Sequence, residues 1–143
     1  EILWSDRNEI LPYKNLTEAI TLASIIEKEG LEKNKIAGVF INRLRIGMKL
    51  QSDPTVIYAL GKDFDGDIKR KDLRIDNPYN TYRYKGLPPG PISIVSEESL
   101  EAALNPEETD FLYFVSMKNG FHKFSKNLTE HNEAVLKYQI NER

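Results

Sequence analysis

TEAITLASIIEKEG, residues 17–30, is the most apolar helical run in the chain, and two glutamates break into it. At about 100° per residue, Ala19, Ile20, Leu22, Ala23, Ile25 and Ile26 cover most of the helix circumference. Thr21, Ser24 and Lys28 share one narrow polar stripe. A helix that apolar is buried on most sides. Glu27 projects between Ile20 and Ala23, while Glu29 falls on the opposite shoulder among Leu22, Ile25 and Ile26. Burial raises a carboxyl pKa, and a raised pKa is what general-acid chemistry near neutrality requires. The plainer reading stands beside it: last-turn glutamates fray into water or pair with Lys or Arg. Glu29 adjoins Gly30, the expected helix terminator, and is expected to reach solvent; Glu27 is expected to lie deeper.

The surrounding chain sets the frame. Its 143 residues suit one domain with a real core, and 40% hydrophobic against 29% charged residues is an ordinary globular balance. A net charge of −2, with no dense Lys/Arg run, gives no case for nucleic acid. The absence of cysteine removes disulfides, thiolate nucleophiles and Cys-ligated metals. No apolar run approaches the ~20 residues of a membrane span. The chain begins at Glu1 rather than Met and is expected to be a piece of a longer protein.

In chain order, Trp4, Ile10 and Leu11 could dock a short helix ahead of Pro12, and residues 1–15 read as a connecting segment before a domain over 16–143. Asn15 with Glu18 reads as a capping box for the central helix. Asn15-Leu16-Thr17 and Asn127-Leu128-Thr129 match glycosylation sequons but lie where helix caps belong. Residues 34–46 form a second helix closed by Gly47; its Asn42, Arg43 and Arg45 read as solvated or ion-paired, or as the wall of a polar cleft. In QSDPT, Ser52 or Asp53 can cap a third helix with Pro54 at its first position. Asp53 is a second carboxylate candidate, although capping explains it. The alternating Asp63, Asp65 and Asp67 fail the EF-hand pattern, so no metal is expected there.

Residues 77–93, NPYNTYRYKGLPPGPIS, interleave four prolines with Tyr79, Tyr82 and Tyr84. Prolines hold the backbone extended. Tyrosines offer flat faces suited to sugar rings, or simply pack; the prolines equally suit a rigid connector. A helix is expected over 96–104, a hairpin over 111–115 and 121–125 around Lys118-Asn119-Gly120, and a last helix over 129–140. His122 and His131 read as structural or exposed, with nothing spaced to build a triad. Several helices and one hairpin give an α+β class. No nucleophile elbow, P-loop, dinucleotide fingerprint or zinc-protease motif is present. The residues alone reach a polymer-binding domain that could be a carboxylate-dependent glycosidase.

Five blocks go further: LASIIEKEG, VFINRLRIGMKLQSDPTVIYALG, YNTYRYKGLPPGPI, FLYFV and HKFSKNLTEHN. In this order they closely resemble the endolytic murein transglycosylase (YceG-like) family, over nearly the whole chain from Leu16 to about Tyr138. The resemblance implies a mostly helical, lysozyme-like lytic transglycosylase domain with a small β-hairpin. It implies that a membrane anchor and a LysM-like subdomain lie outside this chain, and that the domain works on the outer side of the cell membrane. It assigns the catalytic acid to Glu27. It makes Gln51, Ser52, Asp53, Thr55, Tyr79, Asn80, Thr81 and Tyr82 substrate contacts or scaffolding of a glycan cleft. The implied partners are peptidoglycan strands and cell-wall synthesis machinery, with no cofactor. The implied reaction cuts the β-1,4 bond between N-acetylmuramic acid and N-acetylglucosamine and leaves 1,6-anhydro ends. A hydrolytic muramidase using Glu27 and Asp53, or a non-catalytic peptidoglycan-binding module, are the alternatives.

Overall fold

A computed structural model describes residues 11–140, so the proposed docking of Trp4 and Ile10 lies outside the described residues. Among the described residues, five α-helices and one antiparallel hairpin confirm the α+β class. They are α1 (Leu16–Glu29), α2 (Lys33–Ile46), α3 (Asp53–Leu60), α4 (Glu97–Leu104), β1 (Tyr113–Ser116), β2 (His122–Ser125) and α5 (Leu128–Val135). None of the described helices is long and apolar enough to cross a membrane.

The central helix is the axis of the core. All six residues from Thr21 to Ile26 are buried, which a helix achieves only when neighbours surround it. α4 packs along it most extensively, with α2 and α3 closing further sides. Leu22, Ile25 and Ile26 meet Ile36, Val39 and Phe40 of α2 and Ala102 and Ala103 of α4 in one apolar cluster. Ser24 and Thr21 are sealed too. The Ser24 hydroxyl donates to the Thr21 carbonyl (2.6 Å) and accepts from the Ile92 amide (2.9 Å), and the Ser24 carbonyl accepts from Ser93 Oγ (3.0 Å). The polar stripe on the wheel is therefore a seam that pins the proline-rich loop down.

Local signals work as expected. Asn15 accepts from the Glu18 amide at 3.0 Å, while the Glu18 carboxylate accepts from the Lys14 amide. Asn127 caps α5 the same way on Glu130 (2.9 Å), and Ser96 caps α4 on Ser99 (3.1 Å). Both sequon asparagines thus serve as caps. Gly47 ends α2 in the left-handed region. Gly30 ends α1 differently, at φ 144, and a Cβ there would stand 2.9 Å from the His122 ring. The hairpin pairs Tyr113 with Ser125 and Ser116 with His122, with Lys118 at φ 65 in its loop. The final helix is shorter than its pattern: α5 stops at Val135 and passes into a π-helical turn, Leu136–Ile140.

Candidate active site

A cavity of about 450 Å³ opens where the C-terminus of α1, the N-terminus of α3, the hairpin and the first turns of α5 converge. Glu29, Arg43, Gln51, Asp53, Tyr82 and His131 supply its polar lining, with Leu50, Tyr113, Phe114, Leu128 and Asn132 completing the wall.

The two glutamates of α1 part company here. Glu27 does not line the cavity. Its Oε1 accepts from the Ser96 amide (2.9 Å) and the Ser99 hydroxyl (2.8 Å), at the start of α4. Hydrogen bonds from Ser96 and then Ser99 hold its carboxyl down to about 2, so it is a carboxylate at any ordinary pH. The exposed amides and dipole of a helix N-terminus favour such a charge. Glu29 is the opposite case: burial pushes its carboxyl up to about 7. The nearby Asp53 charge adds to the rise, while a hydrogen bond from Ser52 and the Arg43 charge oppose it. Both side chains are partly exposed, but it is the Glu29 carboxyl that meets covered surroundings, so the expectation that Glu27 lies deeper is reversed. Leu22, Ile25 and Ile26 beside Glu29 are fully buried, and the chain after α2 folds across the helix end that Gly30 was expected to leave open.

That cover is built by QSDPT and residues 80–82. Ser52 occupies the N-cap position of α3, yet its hydroxyl makes no capping bond. It donates instead to Glu29 Oε2 at 3.2 Å. A side-chain cap is worth about 1 kcal/mol, so the hydroxyl is diverted at some cost to helix stability. Asp53 is not the cap either: its carboxylate accepts from Tyr82 Oη at 2.5 Å. Burial and this bond push the Tyr82 phenol up, so it remains a donor. Beneath them Ser52, Thr55 and Thr81 form a buried polar knot. Thr81 Oγ1 accepts from the Ser52 amide (2.9 Å), the Thr55 and Thr81 hydroxyls share a bond (2.8 Å), and the Thr55 hydroxyl also reaches the Ser52 carbonyl (2.7 Å). Gln51 precedes the knot at φ 51, unusual for a non-glycine and disfavoured by about 1–2 kcal/mol. Its amide is tied to the Thr81 carbonyl at 3.2 Å. Backbone held in this way next to a cavity marks a functional constraint.

The eight expected contact or scaffold residues therefore divide. Gln51, Asp53 and Tyr82 line the cavity. Ser52, Thr55, Asn80 and Thr81 are buried scaffold, Asn80 holding the Leu73 and Ile75 carbonyls at 3.0 and 2.9 Å. Tyr79 faces elsewhere, its ring against Tyr58 with centroids 4.8 Å apart. Tyr84 is spent on Asp76, so of these three loop tyrosines only Tyr82 serves the cavity.

The remaining polar residues of the wall include Arg43, for which a polar cleft was one of the expected settings, and His131, which reads in the sequence as structural or exposed. Arg43 is 6% exposed. Its guanidinium donates to the Leu112 (2.7 Å), Lys49 (3.1 Å) and Leu50 (2.9 Å) carbonyls and lies over the Tyr113 ring. His131 stacks on Tyr113, with ring centroids 4.9 Å apart and planes 22° from parallel. Leu128, His131 and Asn132 share one face of α5 by their three- and four-residue spacing. The cavity thus has carboxylates on the α1/α3 side and the Arg43 cation, with His131 and Asn132, on the α2/α5 side.

Comparisons with known proteins agree with this architecture. The YceG-like family model matches residues 3–137. An endolytic murein transglycosylase of Bacillus subtilis is 54% identical over 122 residues, covering 83% of this chain and 34% of that protein. One from Streptococcus pneumoniae is 38% identical over 148 residues, covering 93% of this chain and 27% of its own length. A crystal structure of a YceG-like protein from Listeria monocytogenes superposes with a TM-score of 0.79 at 50% identity, covering 85% of this chain and 40% of that one. The chain spans about a third or less of the length of the two transglycosylases and 40% of the Listeria chain. With a family model matched across almost all of its residues, the chain belongs to the YceG-like family.

Proposed function

We propose that this chain is the catalytic part of an endolytic murein transglycosylase, with Glu29 rather than Glu27 as its proton donor. The observation that carries the reading is one carboxyl, pushed up to about 7 by burial, in the wall of a cavity large enough for sugar rings. A carboxylic acid still protonated near neutrality can act as a general acid; one held down to about 2 cannot. The names of the relatives supply the substrate class, murein glycan.

In the reaction, the Glu29 proton passes to the glycosidic oxygen between N-acetylmuramic acid and N-acetylglucosamine. That C–O bond breaks as C1 gains oxocarbenium character. The Glu29 carboxylate then takes the proton of the muramic C6 hydroxyl, whose oxygen bonds to C1 and closes a 1,6-anhydro ring. Glu29 ends protonated, as it began. Because the hydroxyl is tethered to its electrophile, closure has a large effective molarity and needs no activated water. Asp53 keeps the Glu29 proton in place through its negative charge, and Tyr82 anchors Asp53. Murein lies outside the cytoplasmic membrane, so the domain is assigned to that side.

A hydrolytic muramidase is the second reading, supported by the Asp53 carboxylate in the same cavity. Most hydrolytic glycosidases use two carboxyl groups. Mass spectrometry of murein digested in heavy-oxygen water separates them. Transglycosylation gives unlabelled anhydro ends; labelled reducing muramic acid would establish hydrolysis. Glycan retention with no soluble fragments would make the chain a binding module.

A further inference from the structure

The mechanism leaves the histidine of the cavity unused. His131 enters the cavity from α5, its ring stacked on Tyr113. Its Nδ1 is sealed from solvent with no hydrogen-bond partner, whereas Nε2 is not among the sealed atoms. Charging the ring would place an N–H on that sealed Nδ1, where no acceptor exists, and would add a second cation near Arg43. The ring is therefore neutral, and burial together with the Arg43 charge holds its pKa down. Of the two neutral tautomers, the one with hydrogen on Nδ1 strands a donor, the more costly omission. The remaining form carries its hydrogen on Nε2. A buried polar group without a partner calls for an explanation, and a ring set for stacking alone would be better served by phenylalanine.

We propose that His131 is a specificity-determining residue whose Nε2–H donates a hydrogen bond to the acetamido carbonyl of an N-acetylated sugar in the cavity. This rests on the glycan reading above. An amide carbonyl is the strongest neutral acceptor on such a sugar. On the α2/α5 wall Arg43 is a cation, His131 a donor and Asn132 an amide with both a donor and an acceptor, so the wall suits that carbonyl. The same wall disfavours a de-N-acetylated sugar, which presents an ammonium group to Arg43 and to an N–H.

The test compares binding of an N-acetylated chito-oligosaccharide and its de-N-acetylated counterpart to the wild-type chain, His131→Phe and His131→Gln, by titration calorimetry. Phe keeps the stack and removes the donor; Gln returns a donor near the Nε2 position. The wild type should prefer the acetylated ligand, and His131→Phe should weaken its binding roughly tenfold at an unchanged melting temperature. His131→Gln should recover part of the preference, and it carries the test if Phe perturbs folding. A wild type without preference, or a Phe variant that keeps it, overturns the proposal. Anhydro-end release is scored separately. Cleavage without acetamido preference removes the role of His131 and leaves the reaction standing; preference without cleavage does the reverse.

Discussion

Glu27 and Glu29 lie two residues apart on one helix, and their surroundings drive them in opposite directions. Glu27 meets the N-terminus of α4, where an amide and a hydroxyl solvate its charge. Glu29 meets a single hydroxyl, a neighbouring carboxylate and a buried wall. Two residues of helix amount to about 200° of rotation, enough to pass from one packing partner to another. The contrast teaches that a carboxyl inserted into an apolar helix is not thereby an acid catalyst. What matters is whether the partner it meets solvates the anion.

The largest expected difference between them is catalytic. Glu29→Gln should lower release of anhydro ends from murein by about 10²–10⁴-fold, the usual contribution of a positioned proton donor. Glu27→Gln should keep most of the activity. A Glu27→Gln chain as inactive as Glu29→Gln, yet equally folded, would break the comparison.

Stability should diverge next, with opposite signs. Glu29 has a folded pKa raised from 4.5 to about 7. Its contribution is therefore fully present below about pH 4.5 and is lost as pH rises through 7, by roughly 3 kcal/mol at 1.36 kcal/mol per unit. Glu29→Gln should remove that loss, making the inactive variant the more stable one in denaturant melts above pH 7. Glu27 has a depressed folded pKa, so its contribution is present above about pH 4.5 and disappears as pH falls toward 2. Its carboxylate is partly exposed and screened, so this effect is smaller.

Gly30→Ala should cost about 1–2 kcal/mol in a thermal melt, because φ 144 is closed to alanine and its Cβ would press on His122. Removing the Ser99 hydroxyl, one of the donors to Glu27, should cost about 1 kcal/mol and spare activity. Asp53→Asn sharpens the comparison most finely. Without the Asp53 charge, the Glu29 pKa should fall, and the alkaline limb of the pH–rate profile should move to lower pH.

The sequence carried the elements because their signals are local. Asn15 and Glu18, Ser96 and Ser99, and Asn127 and Glu130 are three apart, and the hairpin loop lies between its own strands. The ordered motif blocks carried the family. The surroundings of each glutamate were not legible, because they are set by distant partners: Ser96 and Ser99 are 69 and 72 residues beyond Glu27, and Ser52 is 23 beyond Glu29. A wheel reports which face a residue occupies and nothing of what covers it. One signal was present: Glu29 neighbours three large aliphatic residues, Leu22, Ile25 and Ile26, whereas Glu27 neighbours Ile20 and the small Ala23. The helix-ending glycine masked it by suggesting an open end. Arg43 was legible as one wall of a polar cleft, but its partners and the stacking of His131 were not, since Tyr113 and the carbonyls of residues 49, 50 and 112 reach them only through the fold.

The most direct measurement is a ¹³C NMR titration of the glutamate side-chain carboxyls, with Glu27→Gln and Glu29→Gln used to assign the two signals. The account predicts that the Glu29 carboxyl titrates near 7 and the Glu27 carboxyl near 2. A Glu29 carboxyl that titrates at or below the ordinary 4.5 would contradict its assignment as the proton donor.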